Sequence, residues 1–225
     1  PAMGSRLEGD WLELCQGPSL ADSMSGLTSQ QGAELAERLF AARRGVALLT
    51  ALAMGLAAWL LVRLLGRRLA LPAIVLLLGD PFLLAHSRLL HLDGITASFA
   101  LLSLLALCLA LREDKARFLV ASGICAGLAA LNKSPAMVIA PFAALVLCAA
   151  TLGGRRPLAW LIRSGLIWAA AAAATYVLVW PAMWVRPWHT LTTVLGTATY
   201  YAETPHSNGN FFMGVIRADP GPGFY

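Results

Sequence analysis

His86-Ser87-Arg88-Leu89-Leu90-His91-Leu92-Asp93-Gly94 sets four ionisable side chains between two long apolar runs, residues 69–85 and 94–111. A charged side chain at the centre of a bilayer costs about 3 kcal/mol, so charges grouped between apolar runs read as a membrane-edge junction and as a functional site by default. The upstream run is broken only by Asp80-Pro81, and the downstream run ends at Arg112, Lys115 and Arg117.

Composition supports a membrane protein. Hydrophobic residues make up 58% of the 225 and charged ones 13%, about half the charge of a soluble domain. The mean hydropathy is +0.68. A net charge of +5 does not point to nucleic acid, because the basic residues fall in short clusters between apolar runs, as in cytoplasmic loops. Cys108, Cys125 and Cys148 lie in separate apolar runs and Cys15 in the polar N-terminal part, with no CxxC spacing, so they read as small packing residues.

The expected fold class is all-α: a polytopic transmembrane helix bundle of about six spans, with an amphipathic N-terminal helix and a non-cytoplasmic C-terminal loop. Residues 1–28 read as part of a first outer loop or an expression remnant. In 29–44, Ala33, Leu35, Ala36, Leu39 and Phe40 recur at helical spacing among charged residues, the pattern of a juxtamembrane surface helix. The transmembrane domain is expected over 45–185, with spans near 45–63, 69–86, 94–112, 118–132, 135–153 and 160–181. Residues 186–225 read as an outer loop cut short, with a short amphipathic helix near 190–202.

If every run spans, the basic clusters at 63–68, 112–117 and 155–163 share one face, the cytoplasmic one by the positive-inside rule. The opposite face then receives the 86–93 cluster, Lys133 and everything after Trp180. Trp180, Trp184 and Trp188 suit an aromatic belt there. Arg38, Arg43 and Arg44 dissent, since they precede the first span on the supposed outer side.

On that face His86, Arg88, His91 and Asp93 have the parts of an anion and hydroxyl site: guanidinium for phosphate, imidazole and carboxylate for hydrogen bonding and proton handling. The plainer reading is a helix-to-helix turn with snorkelling charges and a cap from Asp93. Lys133 is a lone cation in a Pro-containing break, suited to a phosphate or simply snorkelling. Asp80 reads first as a buried carboxylate paired with Arg88. The long final segment adds His189, His206 and Asp219. Four histidines on one face raise metal ligation, but nothing like HExxH occurs; nor does a P-loop, GxSxG or GxGxxG motif. Gly123 and Gly127 form a small-xxx-small pair suited to helix packing within the chain.

The stretch Asp80-Pro-Phe-Leu-Leu-Ala-His-Ser-Arg-Leu-Leu-His-Leu-Asp93 resembles the segment between the third and fourth membrane helices of GT-C-fold polytopic glycosyltransferases. The likeness is to the bacterial family 39 branch, which includes relatives of protein O-mannosyltransferases and of the lipid A aminoarabinose transferase. Gly127-Leu-Ala-Ala-Leu-Asn-Lys133-Ser-Pro is similar to that family's Gly-Leu-x-x-Leu-Thr-Lys segment. Gly209-Asn-Phe-Phe-Met-Gly214, followed by Asp219-Pro-Gly-Pro-Gly-Phe-Tyr225, resembles its later outer loop, and Gly9-Asp10-Trp11 part of its first.

The resemblance implies an inverting glycosyltransferase that uses a polyprenyl-phosphate sugar donor in the lipid bilayer of a bacterial plasma membrane. The acceptor would be a glycan, lipid or protein hydroxyl on the outer face; no nucleic acid is implied. Asp93 would be the catalytic-site acid, and Arg88, Lys133, His86, His91, Asp80, His206 and Asp219 the substrate-binding set. No cofactor is implied with certainty, and a divalent metal stays open. The family's usual base lies in an Asp-Glu pair that the N-terminal part lacks, so the principal carboxylate is expected outside this sequence, and the fragment is expected to be incomplete as an enzyme. The competing reading, a transporter or lipid-binding module without chemistry, predicts inverted repeats and midplane polar sites, and no internal repeat is evident.

Overall fold

The computed structural model describes residues 29–81, 83–84, 92–154, 156–203, 210–212 and 215–217. Among them the chain forms α1 (Ser29–Leu65), α2 (Arg67–Leu78), α3 (Leu92–Glu113), α4 (Ala116–Asn132), a 3-10 turn (Ser134–Val138), α5 (Ile139–Leu152), α6 (Leu158–Val179), α7 (Ala182–Val185) and α8 (Pro187–Glu203). The described residues are thus nearly all helical, as the fold class required.

Among the described residues, four stretches are long and apolar enough to cross a membrane: Glu37–Leu65, Leu92–Glu113, Ser134–Leu152 and Leu158–Val179. Helix α4 is apolar but has only 17 residues, about 26 Å at 1.5 Å per residue. The burial pattern is that of a bundle in lipid. Ser98, Ser103, Ser122 and Ser164 are buried, whereas Leu48, Leu52 and Leu56, one helical stripe of α1, are exposed.

Two sequence boundaries move. The surface helix expected over 29–44 and the span expected from 45 form one helix, α1. Gly45 alone costs about 1 kcal/mol in a helix and stops nothing without a proline or turn partner. The span expected over 69–86 is divided, because α2 stops at Leu78. Gly79 caps it, and Pro81 has no N–H with which to continue the ladder. Gly66, at φ 76°, provides the left-handed residue that separates α2 from α1.

The core lies where α4 is held between α3 and α6. Gly123 and Gly127 face α6 so closely that added Cβ atoms would lie 2.5 Å from the Trp168 carbonyl oxygen and 2.6 Å from that of Ala172. A buried polar relay crosses the same three helices. Trp168 Nε1 donates to Ser122 Oγ at 2.9 Å, and Ser103 Oγ donates to the Ser122 carbonyl at 2.9 Å. Helix α1 adds Ala53, Met54, Ala57 and Leu60 to the cluster formed with Leu102, Leu105 and Leu109.

The two ends of the bundle differ in charge. At one, Arg63 grips Glu113 through two hydrogen bonds of 3.0 and 2.9 Å, and Arg156 reaches Asp114 at 2.6 Å. The basic clusters of three loops therefore meet at one end. Helix polarity puts the start of α3, the end of α4 and the end of α6 at the other.

Past α8, Asn210–Phe212 pairs antiparallel with Val215–Arg217, matching Phe211 with Ile216. The sequence suggested only loop here. Three-residue strands leave too short an alternation to read, although Phe-Phe and Val-Ile are the residue types that strands favour.

Candidate functional site at the lysine end

Lys133 and Asp93, 40 residues apart, meet here: Lys133 Nζ lies 2.6 Å from Asp93 Oδ1. Local sequence explains each position. Pro135 cannot supply the N–H that would extend α4, so the helix ends at Asn132 and Lys133 turns to extended backbone, φ −154° and ψ 127°. Its own N–H still bonds the Ala129 carbonyl at 3.2 Å. Asp93 occupies the first turn of α3, where the helix dipole favours a carboxylate; Lys133 follows the end of α4, where it favours a cation. Both side chains stay part-exposed, 30% for Asp93 and 47% for Lys133. The pair is reachable from solvent.

Beside it opens a cleft of about 770 Å³. Asn132, Lys133 and Ser134 form one wall, Tyr176 and Trp180 from the end of α6 a second, and Thr193 and Thr197 from α8 a third. The rings of Tyr176 and Trp180 meet edge to face, centroids 5.5 Å apart. Cation, hydroxyls, amide and aromatic faces are the groups that bind a phosphorylated sugar. An adjoining groove of about 390 Å³ carries the Ala130 and Tyr176 walls onward past Gly127, Ile139, Ala140 and Trp168, and is apolar.

Asp80 is not the buried carboxylate expected from its run. It is exposed, and its Oδ1 accepts the Leu83 N–H at 3.0 Å while its carbonyl accepts that of Leu84. An Asp before Pro is a natural helix-start residue, and that chemistry prevails over the apolar surroundings. His189 lies in the first turn of α8, where its carbonyl accepts the Thr193 hydroxyl at 2.8 Å. His86, Arg88, His91, His206 and Asp219 lie outside the described residues. Among those described, no three His, Cys, Asp or Glu side chains converge as metal ligands would.

Tyr176, Asn132, Thr193 and Thr197 line the cleft although no sequence expectation includes them, and Trp180 is expected only in an aromatic belt. A signal was available. Tyr176/Trp180 and Thr193/Thr197 each repeat at i, i+4, which puts each pair on one helix face.

Residues 28–184 match the family model described as dolichyl-phosphate-mannose-protein mannosyltransferase. No curated protein and no solved structure gives a significant match. The matched stretch contains Asp80, Asp93, Lys133, Tyr176 and Trp180 and ends just before α8. Covering well over half of the sequence, that match and the apolar helical bundle lead to one statement: the chain belongs to the dolichyl-phosphate-mannose-protein mannosyltransferase family, membrane glycosyltransferases of the GT-C type.

Proposed function

We propose that the chain takes part in transferring a sugar from a polyprenyl-phosphate donor to an acceptor hydroxyl on the non-cytoplasmic membrane face, with Lys133 and Asp93 in the reacting site. The observation that carries this reading is the Lys133–Asp93 pair at the edge of the cleft. In such a transfer the acceptor oxygen attacks the anomeric carbon, and the bond from that carbon to the phosphate oxygen breaks. The electron pair stays on the phosphate, and the hydroxyl proton passes to a carboxylate base. Negative charge develops on the leaving lipid phosphate, where a preorganised cation has most effect.

The Lys133 ammonium has three donors, so it can keep its bond to Asp93 while offering another to phosphate. Asp93 orients Lys133 and accepts from sugar or acceptor hydroxyls. Tyr176 and Trp180 offer a face to the sugar ring, and the adjoining apolar groove suits the first isoprene units of the carrier. Arg88, His86, His91, His206 and Asp219 complete the substrate-binding set, with Asp80 holding the start of the segment that carries the first three.

Binding of a short-chain polyprenyl phosphate to the detergent-solubilised protein tests the phosphate role. Lys133→Ala should weaken it by about tenfold, the effect of one charge-assisted contact. Unchanged affinity would refute the role of Lys133.

A further inference from the structure

A second cavity, of about 180 Å³, opens at the basic end of the bundle, where α3 turns into α4 beside the first turns of α6. Asp114, Lys115, Trp160, Arg163 and Ser164 form its polar part, and Leu119 and Ile167 line it on the apolar side. Four basic side chains share two carboxylates here. Glu113 accepts from Arg63 and from Lys115, at 2.8 Å, and Asp114 accepts from Arg156 at 2.6 Å while lying in the field of Arg163. Among the residues that line the cavity, Lys115 and Arg163 face the single carboxylate of Asp114, which leaves one positive charge in excess. Helices α4 and α6 both point their N-termini towards this end, and neither has a side-chain cap, so their dipoles add to the same sign.

We infer that this cavity seats the phosphate of an anionic phospholipid, held between Lys115 and Arg163, with the lipid's glycerol end over Leu119 and Ile167. A membrane lipid suits the cavity better than a free anion because the walls change from cationic to apolar along α4, from Lys115 to Leu119, and along α6, from Arg163 to Ile167, and α6 is long enough to cross a membrane. Trp160, under the Arg156 guanidinium at 5.2 Å, is the ring type that settles at headgroup level. Basic pockets between membrane helices bind acidic headgroups by this chemistry. The site is separate from the Lys133 cleft and does not depend on the reaction proposed there.

Native mass spectrometry of the purified chain in mixed micelles, with phosphatidylglycerol or phosphatidylcholine supplied, tests it. Phosphatidylglycerol should be retained preferentially, and excess inorganic phosphate should not displace it. Arg163→Gln should lower that retention about fivefold, as expected for one basic side chain at a lipid surface. Arg163 is exposed, so the exchange leaves the core packing untouched. Arg67→Gln, which removes a basic residue of the same end outside the cavity, should leave retention unchanged. Equal retention of the two lipids, equal losses in the two variants, or displacement by inorganic phosphate would each overturn the assignment.

Discussion

Lys133 Nζ stands 2.6 Å from Asp93 Oδ1, so the residue that ends α4 is tied to the first turn of α3. Because both partners are part-exposed, the contact is worth about 0.2–1 kcal/mol of stability. Substitution should therefore show itself in function before folding. Asp93→Asn and Lys133→Ala are each predicted to shift the unfolding midpoint only slightly, as read by a thermal melt. In a double-mutant cycle on transfer rate their effects should be clearly non-additive.

The approach of α4 to α6 is predicted to tolerate nothing larger than glycine at two positions. In Gly123→Ala and Gly127→Ala the new methyl meets backbone oxygen at 2.5 and 2.6 Å, which cannot rotate away. A loss of about 1–3 kcal/mol is expected from overpacking. Gly165→Ala, with nothing within 4 Å, should be neutral or slightly stabilising. Thermal unfolding in one detergent compares the three.

Trp168→Phe keeps most of the ring volume but removes the donor to Ser122 Oγ. The expected cost is about 0.6–1.5 kcal/mol, the range for interhelical hydrogen bonds in membrane proteins and for hydrogen bonds generally. Ser122→Ala should cost about as much, and the double variant less than the sum. Chemical denaturation of the three variants measures it.

Asp114 sits at φ 55°, a left-handed conformation that Asp tolerates better than most residues. The hydrogen bond from Arg156, with the Arg156 and Arg163 charges, holds its carboxyl below the ordinary value of 3.8. A depressed carboxylate pKa gives stability that is complete above the unfolded value and disappears as pH falls through the folded one. Asp114→Asn is therefore predicted to reduce stability at pH 7 and to match wild type once pH falls below the folded pKa. Thermal melts over a pH series test the convergence.

Much of the scaffold was legible because membrane helices declare themselves through uninterrupted apolar length. The basic loops sorted to one end for the same reason, and the Arg63–Glu113 and Arg156–Asp114 contacts lie there. What could not be read was continuity. Nothing in Arg43-Arg44-Gly45 says that a surface helix and a span will run on as one, and Gly79-Asp80-Pro81 looks like a tolerated interruption until the capping bonds to Leu83 and Leu84 appear. At the site, Asp93 and Lys133 stood out as charges among apolar residues, which is an energetic signal within each segment. Their approach to one another is long-range, and so is the convergence of Tyr176 with Thr193 and Thr197, which arises where α8 packs against α7 and the 3-10 turn.

The most direct test is sugar transfer from a labelled polyprenyl-phosphate sugar in membranes that contain the full-length protein, followed as loss of label from the carrier lipid into product. The account predicts turnover in wild type and a fall of about a hundredfold in Lys133→Ala at equal expression and equal melting temperature, the scale of one lost donor to developing charge. Near-normal turnover in both Lys133→Ala and Asp93→Asn would contradict it.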